Sequence, residues 1–175
     1  LRSHGISREA VDFEPRDPDE IWNYQQIFLG FNYRITDIQA ALGISQMTRI
    51  NDFIDRRHQI ADIYRSALSD LPITLPEQDP ESRSSYHLYP IRIIGMKDSK
   101  SQKEIYAQLH AEGILVNLHY IPVYRHPYYE ALGFKEGHCP EAEKFHRDAL
   151  SIPMYPALTE SEIERTIAGL NKVFA

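Results

Sequence analysis

Between Thr36 and Ser69 the positions Ile38, Ala41, Leu42, Ser45, Ile50, Phe53, Ile54, Arg57, Ile60, Ala61, Tyr64 and Leu68 mostly fall three or four apart. That spacing marks one face of an α-helix. It predicts a single helix longer than globular proteins commonly use, of the kind that joins two lobes of a larger protein. Its start is also written in the sequence. Thr36, with Gln39 three residues later, forms a capping box. The preceding polar triplet Asn32-Tyr33-Arg34 is therefore not needed as a cap. It stands beside the positive end of the helix dipole, where an anion such as a phosphate is favoured. The plainer readings are a turn residue for Asn32 and a surface charge for Arg34, and from spacing alone both stay open.

Around this helix the chain divides into a connection over 1–35, the helix over 36–71 and a small α/β domain over 72–175. Residues 1–31 carry little periodicity, and Asp17-Pro18-Asp19-Glu20 is a turn signal. The chain begins with Leu1 rather than Met, and Leu1 to Ile6 reads as the interior of a longer protein. Residues 72–85, with Pro72, Pro76 and Pro80, read as a linker. "YHLYPIRII" over 86–94 reads as a strand that Pro90 restricts to an edge or a bulge. Ser101 to Glu104 is a second capping box, opening a helix that ends near Gly113. "ILVNLHY" over 114–120 reads as a strand, followed by short helices near 128–132 and 141–150. "LSIPMYP" is a short strand, and Thr159 with Glu162 caps a last helix ending near Phe174. The order β-α-β-α-β-α predicts a small α/β sandwich with its helices on one face.

Composition removes several function classes. A net charge of −6 without a Lys/Arg cluster argues against nucleic-acid binding. The densest basic run, Arg56-Arg57-His58, has Asp52 and Asp55 beside it and reads as a solvated helix face. The single cysteine, Cys139, excludes an intrachain disulfide and fits a reducing compartment. With no membrane-length apolar run and no signal peptide, the cytoplasm is the expected location. Phosphate-cradling glycine motifs, HExxH and CxxC are all missing. His138, Cys139 and His146 lack the paired spacing of zinc ligands and read as surface or capping residues, so no metal is expected.

One stretch has the composition of a binding site. "VNLHYIPVYRHPYY" over 116–129 places Asn117, Leu118, His119 and Tyr120 at a strand tip. The following loop is stiffened by Pro122 and Pro127 and surrounded by Tyr124, Tyr128 and Tyr129. Aromatic planes with a few polar groups suit a sugar or a nucleotide. A tyrosine-rich loop packing on a neighbouring domain accounts for the same residues equally well.

Five segments, "RSHGI" at 2–6, "LGFNYRITDIQAALG" at 29–43, "YHLYPIRI" at 86–93, "GILVNLHYIPVYRHPYY" at 113–129 and "LSIPMYPALT" at 150–159, occur in this order. Together they resemble the C-terminal half of the DegT/DnrJ/EryC1/StrS family of pyridoxal-phosphate-dependent nucleotide-sugar aminotransferases. Within it, "HYIPVYRHPYY" looks most like the enzymes of pseudaminic acid synthesis. The resemblance implies the C-terminal part of a type I aminotransferase fold, with 1–35 as the tail of a large cofactor-binding domain. It implies an enzyme that takes an amino group from glutamate and passes it to a UDP-linked 4-keto-6-deoxy sugar. It further implies a homodimer with an active site shared between subunits.

By the same resemblance Asn32 reaches the cofactor phosphate of the partner subunit, Asn117 to Tyr120 line the nucleotide-sugar pocket, and Arg34 has a structural role. The Schiff-base lysine is expected upstream. None of Lys97, Lys100, Lys103, Lys135, Lys144 and Lys172 lies in a matching motif, so no catalytic residue is expected in this chain and the chain alone is expected to be inactive. Two rival readings remain: a sugar dehydratase of the same fold that uses the aminated cofactor, and a non-catalytic dimerisation or binding module.

Overall fold

The computed structural model describes residues 2–7, 24–94 and 101–174. The turn expected at Asp17 to Glu20 lies outside them, as do Lys97 and Lys100. The chain divides into two compact units, Leu1–Arg49 and Ile50–Ala175.

In the first unit, β1 (Ile6–Ser7) pairs antiparallel with β2 (Gln25–Gln26). Ser3 bridges Asn32, with His4 N donating to Phe31 O at 2.9 Å and Tyr33 N to Arg2 O at 2.8 Å. Gly5 makes this close approach possible. Its φ is +72°, and a Cβ there would sit 1.9 Å from the Phe28 carbonyl oxygen. Helix α1 (Asp37–Met47) opens on the expected capping box of Thr36 and Gln39. No residue of α1 is buried among the described residues. Its apolar side chains Ile38, Leu42, Ile44 and Met47 are all exposed.

Where the periodicity predicts one helix over 36–69, there are two: α1, and α2 (Ile50–Ala67) in the second unit. The break falls at Thr48 and Arg49. Thr48 Oγ1 donates to Ser45 O at 2.8 Å, and its amide is shared between Gln46 O and Ile44 O. A hydroxyl that bonds back into its own helix competes with the backbone ladder. The sequence carries the trace of this break, because Ser45 and Ile50 are five apart rather than three or four.

The second unit is built on an antiparallel three-stranded sheet in the order β3 (Ile73–Thr74), β4 (Tyr89–Ile93), β5 (Ala149–Ile152). Tyr89, Ile91 and Ile93 alternate along β4 and enter the core beside Leu150 and Ile152. Against them pack α2 through Ile60, Ala61, Tyr64 and Leu68, and α3 (Gln102–Ala111) through Ile105 and Leu109. Helix α6 (Glu160–Phe174) adds Ile163, Leu170 and Val173. Helices α3 and α6 start on capping boxes, at Ser101 with Glu104 and at Thr159 with Glu162.

Three departures from expectation have local causes. Pro90 lies on the central strand rather than an edge. Opposite it, Ser151 spends its backbone N–H and carbonyl on Asn117, so the prolyl nitrogen faces the β3 side, where β3 stops at the Thr74–Arg92 pair. No ladder bond is lost. The strand expected over 114–120 reduces to one bridge, Asn117 to Ser151, because Asn117 Oδ1 accepts from Leu118 N at 2.8 Å and ends the ladder. Helices also lie on both sides of the sheet: α5 (Pro140–Asp148) covers the second face, where Arg92 sits 6.0 Å over the Phe145 ring and 3.7 Å from Asp148.

Candidate functional site

Asn32 belongs to the first unit and residues 117–120 to the second. Asn32 is exposed, four residues before Thr36. Its backbone is fixed by the bridge to Ser3, and its neighbours Phe31 and Tyr33 stack at 4.8 Å. Its side chain is exposed, and its amide has no hydrogen-bond partner among the described residues.

In the second unit β5 organises the candidate segment. Ser151 N donates to Asn117 O at 2.8 Å and Asn117 N to Ser151 O at 3.1 Å. Leu118 turns inward and packs against the core. The structure therefore gives its side chain a packing role, and only its backbone stays with the candidate surface. His119 is half-buried, its Nδ1 2.9 Å from Ser151 Oγ. Tyr120 is 70% exposed, and its ring meets the imidazole edge-on at 4.5 Å. One imidazole and one phenol thus stand together at the surface, beside the exposed Asn117.

The tyrosine loop that follows is tied down internally. A 3₁₀ turn (Val123–Arg125) and the short helix α4 (Pro127–Glu130) carry it. Tyr124 Oη donates to Glu143 at 2.6 Å and accepts from Cys139 N at 3.2 Å. That hydroxyl holds the Glu143 carboxyl below the ordinary carboxylate range. Arg125 lies between Glu130 at 3.0 Å and Glu136 at 3.3 Å. Tyr124 is thus committed to the loop, whereas Tyr128 is exposed. His138 packs its ring against Tyr124 and Phe134.

A cavity of about 720 Å³ over the start of α2, lined by Ile50, Phe53, Arg57, His87 and Tyr155 among others, contains none of these residues. Its cations are already spent on the fold. Arg57 donates to the carbonyls of Tyr86, His87 and Met154 at 2.7, 3.2 and 3.2 Å, and Arg56 to Leu158 O and Glu160. The surface carrying Asn117, His119 and Tyr120, where His119 Nε2 and the Tyr120 hydroxyl have no partner among the described residues, is the better candidate.

The model of the DegT/DnrJ/EryC1/StrS aminotransferase family matches residues 1–171. The chain belongs to this family. Among curated relatives of the DegT family, the spore coat polysaccharide biosynthesis protein SpsC of Bacillus subtilis is 30% identical over 99% of this chain and 45% of its own length. The UDP-4-amino-4,6-dideoxy-N-acetyl-beta-L-altrosamine transaminase of Helicobacter pylori is 30% identical over 99% of this chain and 44% of its own. The chain therefore spans less than half the length of these relatives. Among solved structures, the putative sugar aminotransferase Spr1654 from Streptococcus pneumoniae superposes with a TM-score of 0.84 at 28% identity, covering 99% of this chain and 41% of that one. That protein has also been solved in PLP and PMP forms, in keeping with a family whose aminotransferases depend on pyridoxal phosphate.

How the residues present fit that cofactor can be judged from their surroundings. The lysines among the described residues, Lys103, Lys135, Lys144 and Lys172, are all exposed, and Lys172 is paired with Glu112 at 2.6 Å. None has the desolvated setting that turns a lysine amine into a nucleophile. The exposed side-chain amide of Asn32, a hydrogen-bond donor, does suit a phosphate oxygen. The fit is to the edge of the cofactor, not to its reactive carbon. Among the described residues no group of three or more His, Cys, Asp or Glu is placed to hold a metal ion, and no helix is long and apolar enough to cross a membrane.

Proposed function

We propose that this chain forms the C-terminal part of a cytoplasmic, homodimeric nucleotide-sugar aminotransferase that takes nitrogen from glutamate and delivers it to a UDP-linked 4-keto-6-deoxy sugar. The observation that carries the reading is the match of residues 1–171 to the aminotransferase family, supported by relatives named for UDP-sugar amination and polysaccharide synthesis. Pyridoxal phosphate, when bound, supplies the electron sink that lets nitrogen move between an amino donor and a keto acceptor. Asn32 donates its side-chain amide to a cofactor phosphate oxygen of the partner subunit. His119 offers its free ring nitrogen to the nucleotide sugar, and the exposed Tyr120 ring covers an apolar face of it. Asn117 and the Leu118 backbone set the edge of that surface.

Absorption spectroscopy on the protein expressed from its full reading frame tests this. A visible cofactor band is expected that bleaches with glutamate and returns on addition of a UDP-4-keto-6-deoxy-hexosamine. A protein that stays colourless with pyridoxal phosphate, or a band indifferent to glutamate, would refute the reading. Asn32→Ala is expected to weaken cofactor binding about tenfold, the worth of one hydrogen bond to a charged group, with unchanged circular dichroism. An unaltered cofactor Kd would remove Asn32 from the site.

A further inference from the structure

Ser151 and Thr166 are the two buried polar side chains among the described residues, and they satisfy their hydroxyls differently. Thr166 donates within its own helix, to Glu162 O at 2.8 Å, and also meets the Tyr64 hydroxyl of α2 in the core. Ser151 reaches out of β5 to a residue 32 positions away, His119 Nδ1 at 2.9 Å. The backbone N–H and carbonyl of Ser151 go to Asn117. One residue, 6% exposed, therefore holds two of the candidate substrate residues through three hydrogen bonds.

The strand geometry explains how. Leu150 and Ile152 enter the core, so alternation turns Ser151 to the opposite face of the sheet, where its hydroxyl meets the His119 imidazole. An alanine there would pack as well, but it could not bond. A buried hydroxyl is disfavoured unless it is bonded, and here its partner is the imidazole. With Nδ1 engaged, Nε2 is the nitrogen left for a ligand, and it has no partner among the described residues. The bond made by one ring nitrogen sets the tautomer and orientation of the other. Because the Tyr120 ring lies edge-on to the imidazole at 4.5 Å, an imidazole free to rotate would release that ring as well.

We propose that Ser151 is a positioning residue for nucleotide-sugar binding, acting through His119. This rests on reading residues 117–120 as the sugar-lining segment. The test is a double-mutant cycle in the protein expressed from its full reading frame and loaded with cofactor. Its variants are Ser151→Ala, His119→Ala and the pair, with the glutamate and keto-sugar half-reactions measured separately. Ser151→Ala is expected to raise KM for the keto sugar about tenfold, the worth of one lost hydrogen bond, and to leave the glutamate half-reaction unchanged. The double variant should be no worse than His119→Ala. Independently of activity, the ¹⁵N spectrum of the His119 imidazole should pass from one tautomer to an averaged pair in Ser151→Ala.

Losses that multiply in the double variant would overturn the proposal. So would equal slowing of both half-reactions, which marks a general packing defect. If His119→Ala impairs sugar binding and Ser151→Ala does not, Ser151 alone is eliminated. If His119→Ala leaves sugar binding untouched, the reading of the segment falls and takes the proposal with it.

Discussion

Tyr64→Ala should lower the unfolding free energy of the second unit by about 4 kcal/mol, the cost of deleting a large aromatic from a packed core. Tyr64 lies on α2 and is fully buried. Its ring meets Tyr89 of β4 at 5.4 Å in an edge-on arrangement, and its hydroxyl donates to Pro153 O at 3.0 Å. One side chain thus ties the first helix of the unit to the middle strand and to the segment leaving β5. The effect divides into ring and hydroxyl. Tyr64→Phe keeps the ring and leaves the Pro153 carbonyl without its donor, which should cost about 1 kcal/mol. Urea denaturation of the three proteins reads both numbers. If alanine and phenylalanine cost the same, the ring does not carry the packing described above.

How far the sequence could be read depended on the range of the interactions. Capping boxes are local, and Thr36 with Gln39, Ser101 with Glu104 and Thr159 with Glu162 all form where the spacing placed them. The core face of α2 follows from periodicity, since Ile60, Ala61, Tyr64 and Leu68 repeat at helical intervals. Strands were harder to read. β3 has two residues, too few for any alternation to show, and it lies in what reads as a linker. Residues 114–120 have the composition of a strand, yet Asn117 caps its own neighbour after one bridge.

The candidate site shows the same division. Asn117, His119 and Tyr120 stand out as residue types, and the structure leaves them at a surface with groups to spare. Leu118 could not be separated from them by sequence, because its inward turn depends on where the ladder stops. Ser151 could not be found by any local rule. It is an ordinary serine in "LSIPMYP", and its importance comes from a contact across 32 residues. The break at Thr48 is an intermediate case: the five-residue step from Ser45 to Ile50 records it, although the long apolar pattern on either side hides it.

The same tyrosine pair predicts how the fold fails in alkali. Burial pushes both phenols, Tyr64 and Tyr89, up to about 12 from an ordinary 10.0, because a tyrosinate in the core would lose its hydration. Below pH 10 both are neutral, whether folded or unfolded, and their contribution is complete. Between pH 10 and 12 the unfolded chain releases these protons while the folded one keeps them. The unfolded state then binds fewer protons, and stability must fall as pH rises. Each phenol contributes up to about 3 kcal/mol to that fall. Tyr64→Phe cannot ionise at that position and should lose only the Tyr89 share. The variant is thus expected to be the less stable protein at pH 8 and the more stable one near pH 12. Urea midpoints taken across this range, with absorbance at the tyrosinate band followed in parallel, read the crossing directly. Two curves that stay parallel from pH 8 to 12 would mean that Tyr64 ionises as freely in the folded protein as in the unfolded chain, and that α2 does not seal it against the sheet.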